Sequence, residues 1–380
     1  MLYRKFGKTN EMVSILGFGC MRLPLLPGGG PTNINEEQSI QLIRHAIDRG
    51  VNYIDTAYPY HGVDRKKGGQ SELLVAKALK DGYREKVKLA TKLPSWLIKT
   101  RGDMDKYLSQ QLERLEVDFI DFYLVHNINH QVWSTLKEAG MDEFLNEAIK
   151  DGRIKYAGFS FHDKVALFKE IVDYYDWSFC QIQYNYLDEH FQAGREGLKY
   201  AAQKGMGISI MEPLKGGKLA GNLPKTAQEV IQQADIKRTP VDWALRWVWN
   251  HPEVSVALSG MNTMEQVIEN LNLACHVEAN SLTEKEIEVV NQVKTIFKDR
   301  IKVHCTDCGY CMPCPAGVSI PTCFTAYNNY HMFGEEDGYN RWITPAQSPS
   351  NCVECGKCEE HCPQGIKIRQ ELKEVKAVFE

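Results

Sequence analysis

The sequence predicts an α/β fold in which a (β/α)8, or TIM, barrel precedes a small cysteine-rich domain. Eight short apolar segments alternate with amphipathic helical patterns over roughly 280 residues, an order that fits a closed barrel of parallel strands better than an open sheet. Beyond the last of these helices the alternation stops, and nine of the twelve cysteines are crowded between Cys305 and Cys362. These observations divide the chain into two domains of different chemistry.

The predicted barrel strands are short apolar runs, each bounded by turn residues or by a helical pattern. In chain order they are Ser14–Gly17, Asn52–Asp55, Val87–Thr91, Phe119–Val125, Tyr156–Phe159, Phe179–Ile182, Gly207–Ile210 and Val254–Ala257. Between them lie helical patterns such as Glu36–Arg49, which has Asn35 as its predicted N-cap. Ahead of them, Leu2–Lys5 and Met12–Ile15 flank a Gly-Lys-Thr-Asn turn and predict a hairpin that closes the barrel floor.

The boundary between the two domains is predicted from a change in composition. Glu284–Lys298 is the last segment with a clear helical pattern, and Cys, Pro, Gly and Asn become frequent after it. We therefore place the boundary near Arg300, which gives a barrel over residues 1–299 and a cysteine-rich domain over residues 300–380.

Composition and charge describe a globular protein and exclude several classes of partner. Apolar residues make up 43% of the chain and charged residues 25%, and no apolar run reaches the roughly 18–20 residues of a membrane-spanning helix. The net charge of −4 falls on the segment after residue 303, so no basic face for nucleic acid is predicted. The start of the chain lacks the apolar stretch of a secretory signal, which predicts a cytoplasmic protein. Cysteines crowded together in that reducing compartment indicate metal binding rather than disulfides.

Four side chains with hydrogen-bonding or ionisable groups follow successive predicted strands. Asp55 and Tyr60 come after the second strand in NYIDTAYPY, Lys92 follows the third in LATKLP, and His126 follows the fourth in DFYLVHN. The carboxyl ends of barrel strands meet at one mouth, so these side chains are predicted to converge there. Taken singly, each has a structural explanation: a turn cap, a rim tyrosine, a solvated lysine or a core histidine. Their order along the strands favours a catalytic site.

These four residue types suit proton transfer to an oxygen atom. A tyrosine with a pKa of about 10 is a poor acid at neutral pH, and a lysine cation within hydrogen-bond reach lowers that pKa. A carboxylate paired with the lysine fixes its position, and a histidine beside them orients a carbonyl oxygen or shares the proton. The set predicts protonation of an oxygen while a hydride arrives at the neighbouring carbon.

Seven segments, in order along the barrel, match one known enzyme family. They are DTAYPY, GGQSELLVAKAL, ATKLP, DFYLVHN, GRIKYAGFS, CQIQYNY and SGMNTMEQVIENL. With them, residues 1–297 resemble the aldo/keto reductase family. The resemblance implies Tyr60 as the general acid, with Asp55, Lys92 and His126 completing a tetrad. It also implies a nicotinamide cofactor, NADP or NAD, across the barrel mouth, and a small-molecule carbonyl or alcohol as substrate.

The same resemblance implies which residues hold the nicotinamide nucleotide. Ser160 and Gln181 match family positions that hold the carboxamide, and Glu269 and Asn270 match positions near the adenine. The alternative for these four residues is ordinary turn and cap chemistry.

At four positions the sequence departs from the family pattern. Phe161 stands where the family usually has Asn, and Met211 stands where an aromatic side chain stacks under the nicotinamide ring. Gly260 and Gln266 replace basic residues that usually grip the 2′-phosphate. The departures predict no strong preference for NADP over NAD.

The cysteines of the second domain form two runs. The first consists of Cys305, Cys308, Cys311 and Cys314, and the second of Cys352, Cys355, Cys358 and Cys362. The second run has the spacing and the terminal Cys-Pro of bacterial ferredoxins that bind [4Fe–4S] clusters, in which the Cys-Pro cysteine ligates the other cluster. By that rule one cluster takes Cys305, Cys308, Cys311 and Cys362, and the other takes Cys352, Cys355, Cys358 and Cys314.

The cysteine-rich segment resembles the 4Fe–4S ferredoxin-like domain appended to a subset of bacterial aldo/keto reductases. Zinc ribbons and disulfides are the alternatives, and a four-cysteine run that ends in proline and occurs twice favours two iron–sulfur clusters over both. The first run is one residue shorter before its last cysteine, which leaves open whether both clusters assemble. Cys323 is predicted to be a core thiol, as are Cys20, Cys180 and Cys275.

Three functions of different classes remain open from the sequence. The main hypothesis is an NAD(P)-dependent oxidoreductase of aldo/keto reductase type whose clusters transfer electrons. Clusters carry one electron at a time and a hydride carries two, so a flavin, a radical step or a structural role of the clusters has to reconcile them. The second hypothesis is an electron-transfer protein supplied by a ferredoxin or flavoprotein partner. The third is a catalytically quiet barrel whose clusters sense redox state.

Substrate choice is predicted to depend on four loops at the barrel mouth. They are His61–Gly69, Pro94–Gly102, Ile128–Gly140 and Pro213–Lys225. The charged first loop, HGVDRKKGG, either contacts an anionic or polar ligand or is simply solvated.

Overall fold

The computed structural model describes residues 1–221, 223–334 and 337–380 and divides into two compact units. The first unit comprises Met1–Gly217 and Val241–Leu282, and the second comprises Lys218–Pro240 and Thr283–Glu380. The boundary near residue 300 stays a prediction, because compactness by itself does not show where an independently folding domain ends.

The strands of the first unit form a two-stranded hairpin and a closed barrel. The hairpin pairs β1 (Tyr3–Lys5) with β2 (Met12–Ser14) in antiparallel fashion. The barrel strands are β3 (Leu16–Gly19), β4 (Tyr53–Asp55), β5 (Lys88–Leu93), β6 (Ile120–Ile128), β7 (Ile154–Phe161), β8 (Phe179–Gln183), β9 (Gly207–Met211) and β10 (Val256–Ser259). They are parallel and follow one another around the barrel in chain order, with β10 pairing with β3 to close it. The predicted eight-stranded barrel is confirmed.

The first and last barrel strands begin two residues later than predicted. Ser14, predicted to open the first strand, ends the hairpin instead: its backbone N–H donates to Asn52 Oδ1 at 2.7 Å and its hydroxyl donates to the Leu16 carbonyl at 2.7 Å. The last strand moves with the first because the two are hydrogen-bonded neighbours, with Ala257 opposite Leu16 and Ser259 opposite Phe18.

The helices cover the barrel and form the second unit. In chain order they are α1 (Glu36–Asp48), α2 (Ser71–Ala78), α3 (Arg101–Leu115), α4 (Trp133–Glu138), α5 (Met141–Lys150), α6 (Val165–Tyr174), α7 (Gly194–Gln203), α8 (Lys218–Gly221), α9 (Lys225–Gln233), α10 (Pro240–Trp249), α11 (Met264–Leu273), α12 (Glu284–Lys298), α13 (Ile320–Phe333), α14 (Asp337–Trp342), α15 (Lys357–Glu360) and α16 (Ile368–Phe379). Helix α1 begins where predicted, because the Asn35 side chain accepts a hydrogen bond from the Gln38 backbone. Among the described residues, none of these helices is both long and apolar enough to cross a membrane.

The hairpin seals the amino-terminal end of the barrel, as the sequence predicts. The Phe6 ring is fully buried and lies 4.7 Å from the ring of Phe122 and 5.3 Å from that of Phe179. Gly7, with a φ of +57°, lets the turn approach strand β9 so closely that a Cβ there would lie 2.0 Å from the Gly207 nitrogen. With the floor filled by aromatic side chains, the opposite end of the barrel is left for a site.

Helices α13 and α16 form the core of the cysteine-rich part of the second unit. Phe324 of α13 and Leu372 and Val375 of α16 are buried in one apolar cluster, and Cys323 is fully buried in the same cluster. Six of the eight cysteines of the two runs pack against this cluster. The cysteines are therefore held at the edge of a small apolar core.

Candidate active site and cysteine cavities

Lys92 lies at the centre of the site predicted at the barrel mouth. Its ammonium group is fully buried and donates hydrogen bonds to both carboxylate oxygens of Asp55 and to the Thr56 carbonyl, each at 2.7 Å. Strands β4 and β5 are adjacent and parallel, which brings their carboxyl ends side by side. Burial by itself would lower the pKa of Lys92, but the neighbouring Asp55 carboxylate and Tyr60 outweigh it and raise that pKa. The ammonium group therefore keeps its charge.

Tyr60 lies beside this ion pair. Its hydroxyl is 3.5 Å from Lys92 Nζ, and the half-buried ring remains partly open to solvent. Burial raises the pKa of Tyr60, and Lys92 only partly opposes it, so the net direction is upward. The lysine cation acts in the expected direction, but burial outweighs it. The phenol therefore holds its proton at neutral pH.

His126 of strand β6 completes the group. Its ring lies edge-to-face with the Tyr60 ring, with 6.1 Å between centroids, and 5.2 Å from the Trp96 ring. Burial, and after it Lys92, lowers the pKa of His126 well below the ordinary value, so the imidazole is neutral. Its Nδ1 is buried and has no hydrogen-bond partner within the described part of the chain. The structure brings the four predicted side chains together at one mouth.

Three of the predicted nicotinamide contacts lie on neighbouring strands of the same mouth. Ser160 of β7 and Gln181 of β8 are opposite each other in register, and the Gln181 amide nitrogen is 3.8 Å from the Met211 sulfur of β9. Ser160 accepts a hydrogen bond from the Asn127 backbone at 2.7 Å. Gln181 Oε1 is buried and, among residues 1–221, 223–334 and 337–380, has no partner. An unpaired buried carbonyl oxygen fits a donor such as the carboxamide N–H of a nicotinamide.

The other predicted cofactor positions lie at and after strand β10. The Asn270 amide is buried and donates to the Ser259 hydroxyl at 3.0 Å, which agrees with the structural role that the sequence leaves open. Glu269 is half-buried on the same helix, α11. Gly260 is exposed, and a Cβ there would lie 3.4 Å from the Arg22 Cβ. The Gln266 side chain accepts from the Asn262 backbone at 2.9 Å and so helps to cap α11.

Of the residues that depart from the family pattern, Phe161 lies in the core. It is fully buried and packs against Phe168 of helix α6, with 5.2 Å between ring centroids. Its role in this structure is to join β7 to α6.

Sequence reasoning missed two residues at the mouth. Asn127, next to His126, has a φ of +54°, and its buried Oδ1 has no partner within the described ranges. Trp96 contacts His126 from a short 3₁₀ turn, Ser95–Leu97, that follows β5. Asn127 lies in the motif DFYLVHN and Trp96 in the loop Pro94–Gly102, so both segments were identified from the sequence although neither side chain was named as part of the site.

The cysteines line two cavities in the second unit. One is lined by Cys305, Cys308, Cys311 and Cys362 together with Phe324 and Ile368. The other is lined by Cys314, Cys352, Cys355 and Cys358, and Cys311 reaches it as well. These are the two ligand sets that the ferredoxin rule predicts, with the last cysteine of each run crossing to the other set. The donor sets fit two [4Fe–4S] clusters.

Three thiols of these cavities have a raised pKa. Burial raises the pKa of Cys305 and Cys358 and raises that of Cys311 to about 11. Thiolate, not thiol, binds iron, so cluster assembly has to displace these protons. Within the described residues, no three Cys, His, Asp or Glu side chains form a group that could hold a single metal ion.

Comparison with known families covers both parts of the chain. The aldo/keto reductase family model matches residues 15–294, and the 4Fe-4S dicluster domain model matches residues 304–366. These two matches confirm the resemblances drawn from the sequence.

Relatives and solved structures resemble the barrel part. Probable aldo-keto reductase 1 of Glycine max is 26% identical over 323 residues, 75% of this chain and 87% of that protein. The NADH-specific methylglyoxal reductase of Escherichia coli K12 is 26% identical over 70% of this chain and 91% of its own length. A thermostable aldo-keto reductase in complex with the inhibitor epalrestat aligns with a TM-score of 0.63 and 27% identity, covering 77% of this chain and 100% of its own. The holo form of a Bacillus halodurans aldo-keto reductase shares the fold, with a TM-score of 0.64 at 23% identity over 77% of this chain and 96% of its own.

A family model that matches most of the chain leaves no ambiguity about its relationship. The protein belongs to the aldo/keto reductase family of oxidoreductases and carries a C-terminal 4Fe–4S dicluster domain.

Proposed function

We propose that the protein is an NAD(P)-dependent oxidoreductase that reduces the carbonyl group of a small molecule, or oxidises the corresponding alcohol. The observation that carries the proposal is the Lys92 ammonium group, which bonds both Asp55 oxygens at 2.7 Å and lies 3.5 Å from the Tyr60 hydroxyl. Burying an ion pair costs desolvation free energy that its attraction often does not recover, so such a pair is weak evidence for stability. A buried pair whose cation lies beside a phenol is a candidate functional site.

The four side chains divide the proton chemistry among them. Tyr60 donates its proton to the carbonyl oxygen of the substrate, and the Lys92 cation stabilises the phenolate that remains. Asp55 fixes Lys92 by two hydrogen bonds, so the cation does not have to reorganise during the reaction. The neutral imidazole of His126 donates one N–H to the same oxygen without competing for the proton.

Ser160, Gln181 and Met211 are proposed to hold the nicotinamide end of the cofactor, with Gly260, Glu269 and Asn270 towards its adenosine end. Bound nicotinamide supplies the hydride that reaches the carbonyl carbon. No basic side chain stands at Gly260 or Gln266, which supports NADH as readily as NADPH. The Escherichia coli relative is named as NADH-specific, which supports testing NADH first.

The cysteine cavities are proposed to hold two [4Fe–4S] clusters that transfer electrons to or from a redox partner protein. One cluster takes Cys305, Cys308, Cys311 and Cys362, and the other takes Cys314, Cys352, Cys355 and Cys358. The support is the grouping of these eight side chains around two separate cavities. Thiol ligands that must stay reduced also support a cytoplasmic location.

Tyr60→Phe tests the barrel chemistry. In the anaerobically purified, cluster-loaded chain, NADH- or NADPH-dependent reduction of methylglyoxal and benzaldehyde is expected to fall in kcat by about 10²–10⁴ because the proton donor is lost. Nicotinamide affinity, measured by fluorescence quenching, is expected to stay unchanged. Tyr58→Phe removes the hydroxyl of a buried tyrosine in the same loop and is the matched control.

Two results would contradict the proposal. Activity of Tyr60→Phe equal to that of the unchanged protein would remove the role of the tyrosine. Turnover with a reduced ferredoxin, but none with NADH or NADPH, would replace the nicotinamide mechanism by direct electron transfer.

A further inference from the structure

Arg65 places an exposed positive charge at the barrel mouth. It lies in the loop His61–Gly69, which follows the strand that carries Asp55. Its guanidinium carbon stands 4.3 Å from the centroid of the Trp96 ring, in a cation–π contact. The Trp96 indole N–H donates to the Arg65 carbonyl at 2.8 Å, so side chain and backbone of the arginine are both fixed to the same tryptophan.

Trp96 links this charge to the catalytic group. Its ring lies 5.2 Å from the His126 ring, and His126 in turn lies against Tyr60. After burial and Lys92, Arg65 is among the charges that lower the pKa of His126, and it also lowers that of His162. The Arg65 guanidinium is therefore connected to His126 through one intervening side chain, Trp96.

Within the described residues Arg65 has no carboxylate partner, whereas the half-buried Arg114 of helix α3 pairs with Glu72 at 2.9 Å. The neighbouring carboxylate, Asp64, bonds to its own loop instead: its Oδ1 accepts hydrogen bonds from the backbone N–H groups of Lys66 and Lys67 at 2.7 and 3.1 Å.

We propose that Arg65 binds a carboxylate of the substrate, so that the preferred substrates are carbonyl compounds with an anionic group remote from the carbonyl. This specificity rests on the proposed reduction at Tyr60. A guanidinium held on an aromatic ring loses little conformational freedom when it pairs with a carboxylate, and its fork geometry allows two parallel hydrogen bonds. Because Trp96 lies between Arg65 and His126, the substrate carboxylate is expected to be distant from the carbonyl carbon, as in a benzaldehyde with the carboxylate opposite the aldehyde.

A matched pair of substrates tests this specificity in the cluster-loaded full chain. 4-Carboxybenzaldehyde carries the anion and methyl 4-formylbenzoate is its neutral analogue. Arg65→Gln is expected to lower kcat/KM for the acid about 10-fold through KM, with kcat unchanged, and to change that of the ester by less than about twofold. Lys67→Gln removes the same charge from the same loop and is expected to leave the ratio between the two substrates unchanged.

Binding of a non-reacting anion keeps this inference separate from the proposed reaction. Benzoate and benzamide are titrated calorimetrically into the unchanged protein and into Arg65→Gln, each with and without NADH. Benzoate is expected to bind more tightly than benzamide, and Arg65→Gln is expected to remove the difference. Equal binding of the two compounds, or an unchanged preference in Arg65→Gln, overturns the role of Arg65. A protein that binds benzoate through Arg65 but reduces neither aldehyde would instead contradict the proposed function.

Discussion

At the barrel mouth the proposed functional side chains come from separate strands, whereas in the second unit they come from two short runs of sequence. Lys92, Asp55 and Tyr60 are already in contact, and the ion pair is buried beyond the reach of solvent. The run cysteines line two open cavities and are partly exposed, and burial raises the pKa of the half-buried Cys311 thiol to about 11. The barrel group is thus held by contacts within the protein, whereas we expect the cysteine runs to be joined only by the bonds to bound metal.

Removal of the clusters is expected to separate the two regions most clearly. Anaerobic chelation of iron is expected to abolish hydrogen-exchange protection in α13 and α16, because thiolates that cross-link the two runs are lost, and to leave β4–β6 protected. Mass spectrometry resolves the two regions. The loaded protein is expected to contain about eight irons and eight sulfides.

Two cysteines of the second unit provide a control. Cys358→Ser is expected to lose iron from one cavity, whereas Cys323→Ala, at a buried thiol of the α13 core, is expected to keep all of it. Equal loss of protection in both units after chelation would show that the barrel, too, depends on the metal.

Lys92→Met tests the barrel site by removing the cation of the buried ion pair. It leaves the Asp55 carboxylate buried without its cation, which is expected to cost about 3–5 kcal/mol in the free energy of unfolding. Activity is expected to fall about 10³-fold, because the phenolate of Tyr60 loses its stabilising charge. Denaturant unfolding and steady-state kinetics give the two values. Adding Asp55→Asn is expected to recover stability without activity, and recovery of both would contradict the role of the ion pair.

The smallest effect is expected in the pH dependence of barrel stability. Because burial and then Lys92 lower the pKa of His126 in the folded state, the unfolded chain binds that proton more readily. The contribution is present above the unfolded pKa of about 6.5 and is lost as pH falls towards the folded pKa, by at most about 1.4 kcal/mol per pH unit.

A histidine replacement isolates this contribution. Between pH 7.5 and 5.5 the unfolding midpoint of the barrel is expected to fall less in His126→Asn than in the unchanged protein. His130→Asn, at an exposed histidine, is the control. An equal fall in all three proteins would show that His126 is not held neutral by the fold.

Much of the fold was predictable because the barrel repeats one local pattern. Strand and helix alternation identified the eight barrel strands. The errors at the first and last strands arose because Ser14 belongs to the hairpin strand β2, so that the first barrel strand begins at Leu16 and its neighbour β10 begins at Val256. The tetrad was predictable as a set because each member follows a strand. The pairing of Trp96 with Arg65 was not predictable, because it is a contact between two loops and leaves no pattern in the local sequence.

The alternation of elements, the four mouth residues and the grouping of the cysteines into two runs can all be predicted from spacing along the chain. The charge states of the mouth residues follow instead from their surroundings in the folded protein. The pKa of Tyr60 is raised rather than lowered, and His126 is neutral, because burial depends on what surrounds a group in space. The tertiary structure also places Arg65 over Trp96, whose ring contacts His126.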